Sequence, residues 1–328
     1  MSLPIIKYCL GTLAEGYENY STTCLRRLFD ARKVNHVLPY DSPASNEATD
    51  ELFNENQKRI SISGVQEKFS VLLEKNKLRL INEGEHGTYI LKPIPNAGKI
   101  PDEMPANEHL TMQIARQVFD IETAENALIF FRDGTPAYIT KRFDVEEGGG
   151  KIAKEDFASL AGRTPQTHGE HYKYSGSYLE LFELMKKYLP AYQLEAPKLF
   201  QLLIFNYLFS NGDAHFKNFS LLETELGDFR LSPAYDLLNT RMNIEDSDFA
   251  LDDGLLPKNL AKGKVMQQFL SLAEYAGLSQ GQRDGVLDKM LSSPEKVAKL
   301  IDASYLGDKA KRNYWQSYKT RLKKLSRK

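Results

Sequence analysis

An α+β chain of two lobes, a small β-rich one followed by a larger helical one, is what this sequence predicts. Three patterns predict it. Between about residues 58 and 147, short β-branched runs alternate apolar and polar residues and break at Gly and Asn, as a strand meander does. From about residue 155 onward, apolar residues recur at helical spacing. Within that half, PKLFQLLIFNYLFSN is apolar nearly all round, as a helix buried at the centre of a helical lobe must be. The 328 residues, 41% hydrophobic and 27% charged, have an ordinary globular composition and are enough for two lobes rather than one. We divide the chain into a short N-terminal segment, 1–57, a first lobe, 58–147, and a helical lobe, 148–328.

The N-terminal segment is mixed and polar, with one amphipathic piece at CLRRLFDARK and a loop at PYDSPASNEATD. KRISISGVQEKFSVLL and KLRLINEGEHGTYILKP then read as strand, Gly turn, strand. PANEHLTMQIARQVFD follows as a helix, with Leu110, Ile114 and Val118 on one face and Asn107 as its candidate cap. ALIFFRDGTPAYITKRFD is a pair of strands joined through Asp-Gly, a hairpin signal, and GGG at 148–150 is a turn. In the helical lobe, YLELFELMKKYL and the PKLFQLLIFNYLFSN helix precede a strand and turn at FRLSPAYDLLNT. VMQQFLSLAEYAG, SPEKVAKLIDAS and NYWQSYKTRLKKL then continue as helices.

Composition removes several classes of function. The net charge of −1 gives no global reason to expect nucleic acid or an anionic membrane as a partner. No stretch reaches the roughly 20 apolar residues of a membrane span, and MSLPIIKYCLGTLAEGY lacks the pattern of a secretory signal. Two cysteines, Cys9 and Cys24, support neither a disulfide framework nor a four-ligand zinc site. A soluble cytoplasmic protein with reduced thiols is expected.

One stretch does not fit a plain core. LFSNGDAHFKNFSLL sets Asn211, Gly212, Asp213, His215, Lys217 and Asn218 between two apolar runs. Phosphoryl transfer asks for such groups: a carboxylate facing the acceptor hydroxyl, an amide and a carboxylate holding Mg²⁺, and a lysine on the nucleotide phosphates that is itself held by an acid. Asp213 and Asn218 have the Asp-x₄-Asn spacing of a kinase catalytic loop, and Asp236 follows after a short strand. Upstream, Lys92 closes a strand and Glu108 opens the next helix. Each part alone is weak; Asp213 alone reads as readily as a cap after a helix that stops at Gly212. The order of Gly turn, Lys, Glu, Asp-x₄-Asn and Asp carries the argument.

SISGVQEKFS, NGDAHFKN and LSPAYDLL resemble the signatures of the HipA-like serine/threonine kinases, toxins of bacterial toxin–antitoxin operons, over roughly residues 58–320. The resemblance implies a two-lobed protein-kinase-like fold, shared distantly with phosphoinositide kinases, that uses ATP and Mg²⁺. By position, Asp213 resembles the catalytic base, His215 a loop residue near the phosphates, and Asn218 and Asp236 the metal ligands. Lys92 resembles the phosphate-binding lysine, braced by Glu108, and Arg142-Phe143 the hinge that reads adenine with its backbone. The turn at Ser61–Gln66, with Ser63, Gly64 and Val65 and the following Lys68, takes the place of a phosphate loop. Only about 57 residues precede that motif, so the chain resembles the short form, HipT. In that form a small HipS-like protein supplies the missing subdomain and acts as antitoxin beside a DNA-binding HipB-like partner.

By the same resemblance, Ser61 or Ser63 is the expected autophosphorylation site, the plainer reading being two turn hydroxyls bonded locally. A phosphoserine there, with about −1.5 to −2 charges, would repel nucleotide or distort the loop, and so act as an off-switch. The substrate implied is a translation component, an aminoacyl-tRNA synthetase, with the tryptophanyl enzyme as first choice. Two alternatives stay open: a lipid or small-molecule kinase, and a non-catalytic nucleotide-binding module in a repressor complex. The C-terminal KTRLKKLSRK, six basic residues and no acid, reads as a solvated helix end. No membrane contact is expected, and no direct DNA contact is expected to dominate.

Overall fold

The computed structural model describes residues 5–43, 53, 67–146, 149–244 and 247–326. The chain forms two compact units, neither of them continuous in sequence. One comprises 1–113, 124–150 and 299–311; the other comprises 114–123, 151–298 and 312–328.

The first unit is built on a five-stranded antiparallel sheet. Its strands are β1 (Phe69–Glu74), β2 (Lys77–Leu80), β3 (Tyr89–Lys92), β4 (Asn126–Phe130) and β5 (Pro136–Lys141), in the order β2-β1-β3-β5-β4. The β1–β2 hairpin turns at Lys75, whose φ of 54° is left-handed, and the β4–β5 hairpin turns through Gly134 at φ 85°, the Asp-Gly signal read above. Alternation gives the sheet its core: Phe69, Val71, Tyr89, Leu91, Ala127, Ile129, Ala137 and Ile139 are buried. The β4 edge is covered, since Phe130 N–H donates to His36 C=O (2.8 Å) and Leu38 N–H to Phe130 C=O (2.7 Å). A seven-residue helix, Thr22–Leu28, is capped by Ser21, whose side chain accepts from the Cys24 N–H.

The helix expected from Asn107 begins earlier, at Met104, and runs to Phe119 after a 3₁₀ turn at Pro101–Glu103. Asn107 is therefore not its cap. It lies buried inside the helix, where its side-chain oxygen and backbone carbonyl face the Thr111 hydroxyl. Pro101 and Pro105 suit the first turns of a helix and start this one ahead of the candidate cap.

The second unit has a small antiparallel sheet, β6 (Lys154–Asp156), β7 (Ser220–Glu223) and β8 (Phe229–Leu231), among helices. The helix read as apolar nearly all round spans Tyr192–Leu208 and buries twelve of its seventeen residues, Leu199, Phe200, Phe205 and Leu208 among them. It starts five residues ahead of Pro197, which the helix accommodates in its second turn. A helix at Gln280–Leu291 had no legible pattern. It carries Gly281 and Gly285, and buries only Leu287 and Met290; its signal is the Ser279/Gln282 capping box. No helix among the described residues is long and apolar enough to cross a membrane.

Candidate active site

The polar loop follows from how the buried helix stops. After Leu208 the chain turns left-handed at Ser210 (φ 53°), and Asn211 N–H closes back on Asn206 C=O (2.9 Å). Thr240 clamps the exit. Its N–H and hydroxyl both donate to Ser210 C=O (3.1 and 2.9 Å), and the hydroxyl accepts from the Gly212 N–H (2.9 Å). Beneath the loop, Asn211 Nδ2 donates to Asn206 Oδ1 (3.1 Å) and reaches Asp236 C=O (3.4 Å). The backbone entering Asp213 is thus held on both sides before any ligand is considered.

Asp213 is 47% exposed, and its Oδ1 accepts from the Tyr174 hydroxyl at 2.7 Å. Tyr174 stands edge-on to the His215 ring, with centroids 5.1 Å apart. His215 Nε2 lies 4.0 Å from Asp213 Oδ1. Burial pushes the His215 imidazole down to about 4, against the attraction of Asp213. At neutral pH it is an uncharged ring. His215 N–H donates to Asn218 Oδ1 (3.1 Å), and this turns the Asn218 amide nitrogen toward Asp236 Oδ2, 3.4 Å away. Asp236 has a φ of 56°, a left-handed conformation that Asp and Asn tolerate better than other non-glycine residues. Strain of this kind at a polar cluster points to function.

Lys217 is in the loop but does something else. Its Nζ pairs with Asp156 (2.6 Å), the residue that caps the short helix Phe157–Leu160. The Tyr235 hydroxyl donates to Lys217 C=O (2.9 Å), and the Tyr178 hydroxyl to Ala214 C=O (2.7 Å). These contacts anchor the loop; they leave Asp213 as its exposed carboxylate.

In the first unit, Lys92 ends β3 and meets Glu108 of the helix, Nζ to Oε1 2.6 Å, with side chains 4% and 3% exposed. The ammonium also lies 5.3 Å from the Tyr138 ring centroid. Arg142 continues β5. Its N–H donates to Thr88 C=O (2.9 Å) and its guanidinium forks onto Asp144 with two 2.9 Å bonds, so this N–H is already used within the sheet. Phe143 is half-buried in the bend that follows, and Lys68 half-buried just before β1. Ser61, Ser63, Gly64 and Val65 lie outside the described residues.

The structure brings together Lys92 with Glu108, Asn218 with Asp236, and Asp213 with His215. Reasoning from spacing missed Tyr174, Asn206 and Thr240. Tyr174 lies 39 positions before Asp213 in a polar stretch with no period. Asn206 is one of several polar residues in its helix, beside Glu195, Lys198 and Gln201, and nothing in the sequence sets it apart. As a donor set, one amide and one carboxylate suit Mg²⁺, which takes one or two protein ligands and completes its shell with phosphate and water. Among the described residues no group of three or more His, Cys, Asp or Glu gathers as a metal cage.

The chain resembles proteins already known. A Haemophilus influenzae protein whose name is that of a kinase is 24% identical over 316 residues, 89% of this chain and 88% of the relative. A Sinorhizobium fredii protein, Y4mE, also named as a kinase, is 32% identical over 191 residues, 56% of this chain. Among solved structures, HipA from the Shewanella oneidensis toxin–antitoxin complex of HipA, HipB and operator DNA matches 80% of this chain with a TM-score of 0.62 and 22% identity. The aligned part spans 43% of Y4mE and 63% of that HipA chain. The structural likeness shows the fold, the two-lobed kinase-like α+β fold expected from the sequence. The HipA-like C-terminal domain family matches residues 60–299, a span that holds Lys92, Glu108, the polar loop and Asp236 and exceeds half of the chain, which therefore belongs to that family.

Proposed function

We propose that the chain is an ATP- and Mg²⁺-dependent protein kinase that phosphorylates serine or threonine hydroxyls. The observation that carries this reading is the loop around Asp213: an exposed carboxylate steadied by Tyr174, five residues before an amide that faces the Asp236 carboxylate. Asp213 has one oxygen engaged by Tyr174; the other is left to accept from the acceptor hydroxyl and set its line of attack. Asn218 and Asp236 hold Mg²⁺, which when bound neutralises charge on the nucleotide phosphates. Lys92, kept in place by Glu108, donates to phosphate oxygens. His215, uncharged, is a neutral hydrogen-bonder beside the phosphates and leaves the base role to Asp213. Arg142-Phe143, Lys68, Ser63, Gly64 and Val65 complete the nucleotide site in this reading.

The finer assignments belong to the same proposal. Autophosphorylation falls on Ser61 or Ser63, the protein substrate is an aminoacyl-tRNA synthetase, and the partners are a HipS-like antitoxin and a DNA-binding HipB-like protein. That the Shewanella structure holds HipA with HipB and operator DNA supports the last of these. The test is intact mass with peptide mapping of the parent and of Asp213→Gln after incubation with Mg·ATP. Phosphate on Ser61 or Ser63 of the parent alone supports both kinase and base. ATP binding without phosphate transfer to itself or to any protein would leave a nucleotide-binding module as the better reading.

A further inference from the structure

Cys9 and Cys24 play no part in the proposed kinase chemistry, yet the first of them has unusual surroundings. Cys9 begins a tight hairpin closed by Cys9 N–H to Ala14 C=O (2.7 Å) and Leu13 N–H to Cys9 C=O (2.9 Å). Three backbone N–H groups converge on its sulfur: Gly11 at 3.4 Å, Thr12 at 3.3 Å and Ser21 at 3.0 Å. The Cys9 thiol itself faces the Ser21 hydroxyl oxygen, to which it donates in its neutral form (3.2 Å). A neutral thiol is a weak acceptor, so three backbone N–H donors on one sulfur favour the thiolate when the proton leaves. Both cysteines are free, and they are buried at 0% and 3% exposure. Gly11 leaves room for the second thiol, since a Cβ there would stand 2.1 Å from Cys24 Sγ. The neighbouring Cys24 thiol and the donors around the sulfur hold the Cys9 thiol well below its ordinary range, while burial beside Cys9 pushes Cys24 up. Gly11 and Ser21 border both cysteines: Gly11 N–H meets Cys9 Sγ and its Cβ position meets Cys24 Sγ, while Ser21 Oγ lies 3.2 Å from Cys9 Sγ and accepts from the Cys24 N–H, so an attacking and a resolving thiol are set side by side.

We infer that Cys9 and Cys24 form an oxidation site that takes a peroxide as its oxidant and closes reversibly to a disulfide. The Cys9 thiolate attacks one peroxide oxygen and the O–O bond breaks. The departing oxygen takes a proton, leaving Cys9 as a sulfenic acid, oxidised by two electrons while the peroxide is reduced. Cys24 then loses its proton and attacks the Cys9 sulfur, and hydroxide leaves with that proton as water. Leu10, Gly11 and Leu13 of the hairpin are buried, but exposed Lys7 and Ala14–Tyr17 flank it, so a small oxidant reaches Cys9 by local opening of these few residues.

The experiment treats the folded parent with hydrogen peroxide, blocks remaining thiols with N-ethylmaleimide after denaturation, and maps the peptides. The expected result is a cross-linked pair of peptides carrying Cys9 and Cys24, an intact mass lower by two hydrogens, and reversal by dithiothreitol. Cys24→Ser should stop at the first step, with one added oxygen on Cys9 that dimedone traps, and Cys9→Ser should show neither product. Oxidation of methionines in the parent while both cysteines still take up maleimide overturns the inference. So does faster thiol loss in urea than in the folded chain, because the reactivity would then owe nothing to the cradle.

Discussion

Replacing Lys92 with Met removes the cation beside a buried carboxylate. The two side chains are 4% and 3% exposed and their charged atoms 2.6 Å apart, so little water can take the ammonium's place. Removing one partner of such a pair costs about 3–5 kcal/mol. A carboxyl that has lost its ammonium can lower the cost by taking up a proton. From an ordinary glutamate value of about 4.3, neutralising it at pH 7 costs about 3.7 kcal/mol. The cheaper route sets the cost, so Lys92→Met should lose roughly 3–4 kcal/mol at pH 7. The sign of the pH dependence follows. The folded variant then holds that proton more tightly than the unfolded chain does, so its deficit against the parent shrinks as pH falls and is largely gone near pH 4. Lys92→Met/Glu108→Leu has no charge to strand and should recover most of the stability at pH 7, while staying unable to hold nucleotide phosphates through Lys92. Urea unfolding followed by circular dichroism, parent against variants at pH 7 and pH 4.5, reads all of this. A deficit under about 1 kcal/mol at pH 7, or one that does not shrink in acid, would refute the reasoning.

Tyr174→Phe removes the donor on Asp213 Oδ1, a bond to a half-exposed charged group worth about 1.5 kcal/mol. Initial rates should show kcat falling roughly tenfold with KM for ATP unchanged. Asp236→Asn keeps a side chain that tolerates φ 56° and so should fold like the parent. Its Mg²⁺ requirement for ATP binding should rise at least tenfold by titration calorimetry, whereas Asp236→Ala adds a backbone cost of about 1–2 kcal/mol. His215, pushed down to about 4 by burial, is neutral when folded but protonates near 6.5 when unfolded. The unfolded chain therefore binds more protons in that window, and stability falls as pH drops from about 6.5 to 4. His215→Gln should lessen that acid loss by up to about 3 kcal/mol in urea midpoints compared at pH 7 and pH 4.5.

What the sequence discloses and what it hides divide along one physical line. The β1–β2 and β4–β5 hairpins and the Tyr192–Leu208 helix were legible because their periods are local and their turn residues sit between matched runs. β6 was not: Lys154–Asp156 has no apolar residue, and becomes a strand only because β7 lends it an edge. The helix at Gln280–Leu291 hid for a similar reason, since two buried side chains leave no stripe to read. The polar loop was legible as a set of residue types at a spacing, and the structure brings Asn218 and Asp236 within 3.4 Å. Its supports were hidden, since Tyr174, Asn206 and Thr240 come from three separate segments and are ordinary residues in each.

That division bears on which substitutions will be informative. Spacing names the groups that meet a ligand, but the conformation of those groups depends on residues whose only signature is three-dimensional. Ser210 and Asp236 both sit in the left-handed region, and Asn211 ties the two segments together by reaching the Asp236 carbonyl. Replacing Asn211 with Leu breaks that tie and leaves buried carbonyls facing an apolar side chain, an error costing about 1–3 kcal/mol for each unsatisfied group. The loop should then lose its geometry while Asp213, Asn218 and Asp236 all remain in the sequence. Hydrogen exchange at residues 210–213, which does not depend on any assigned activity, would rise sharply in Asn211→Leu and hardly at all in Asp213→Asn. Equal protection in both variants would mean that the loop is held by its helix alone, and that the Asn211 bridge contributes nothing to placing Asp236.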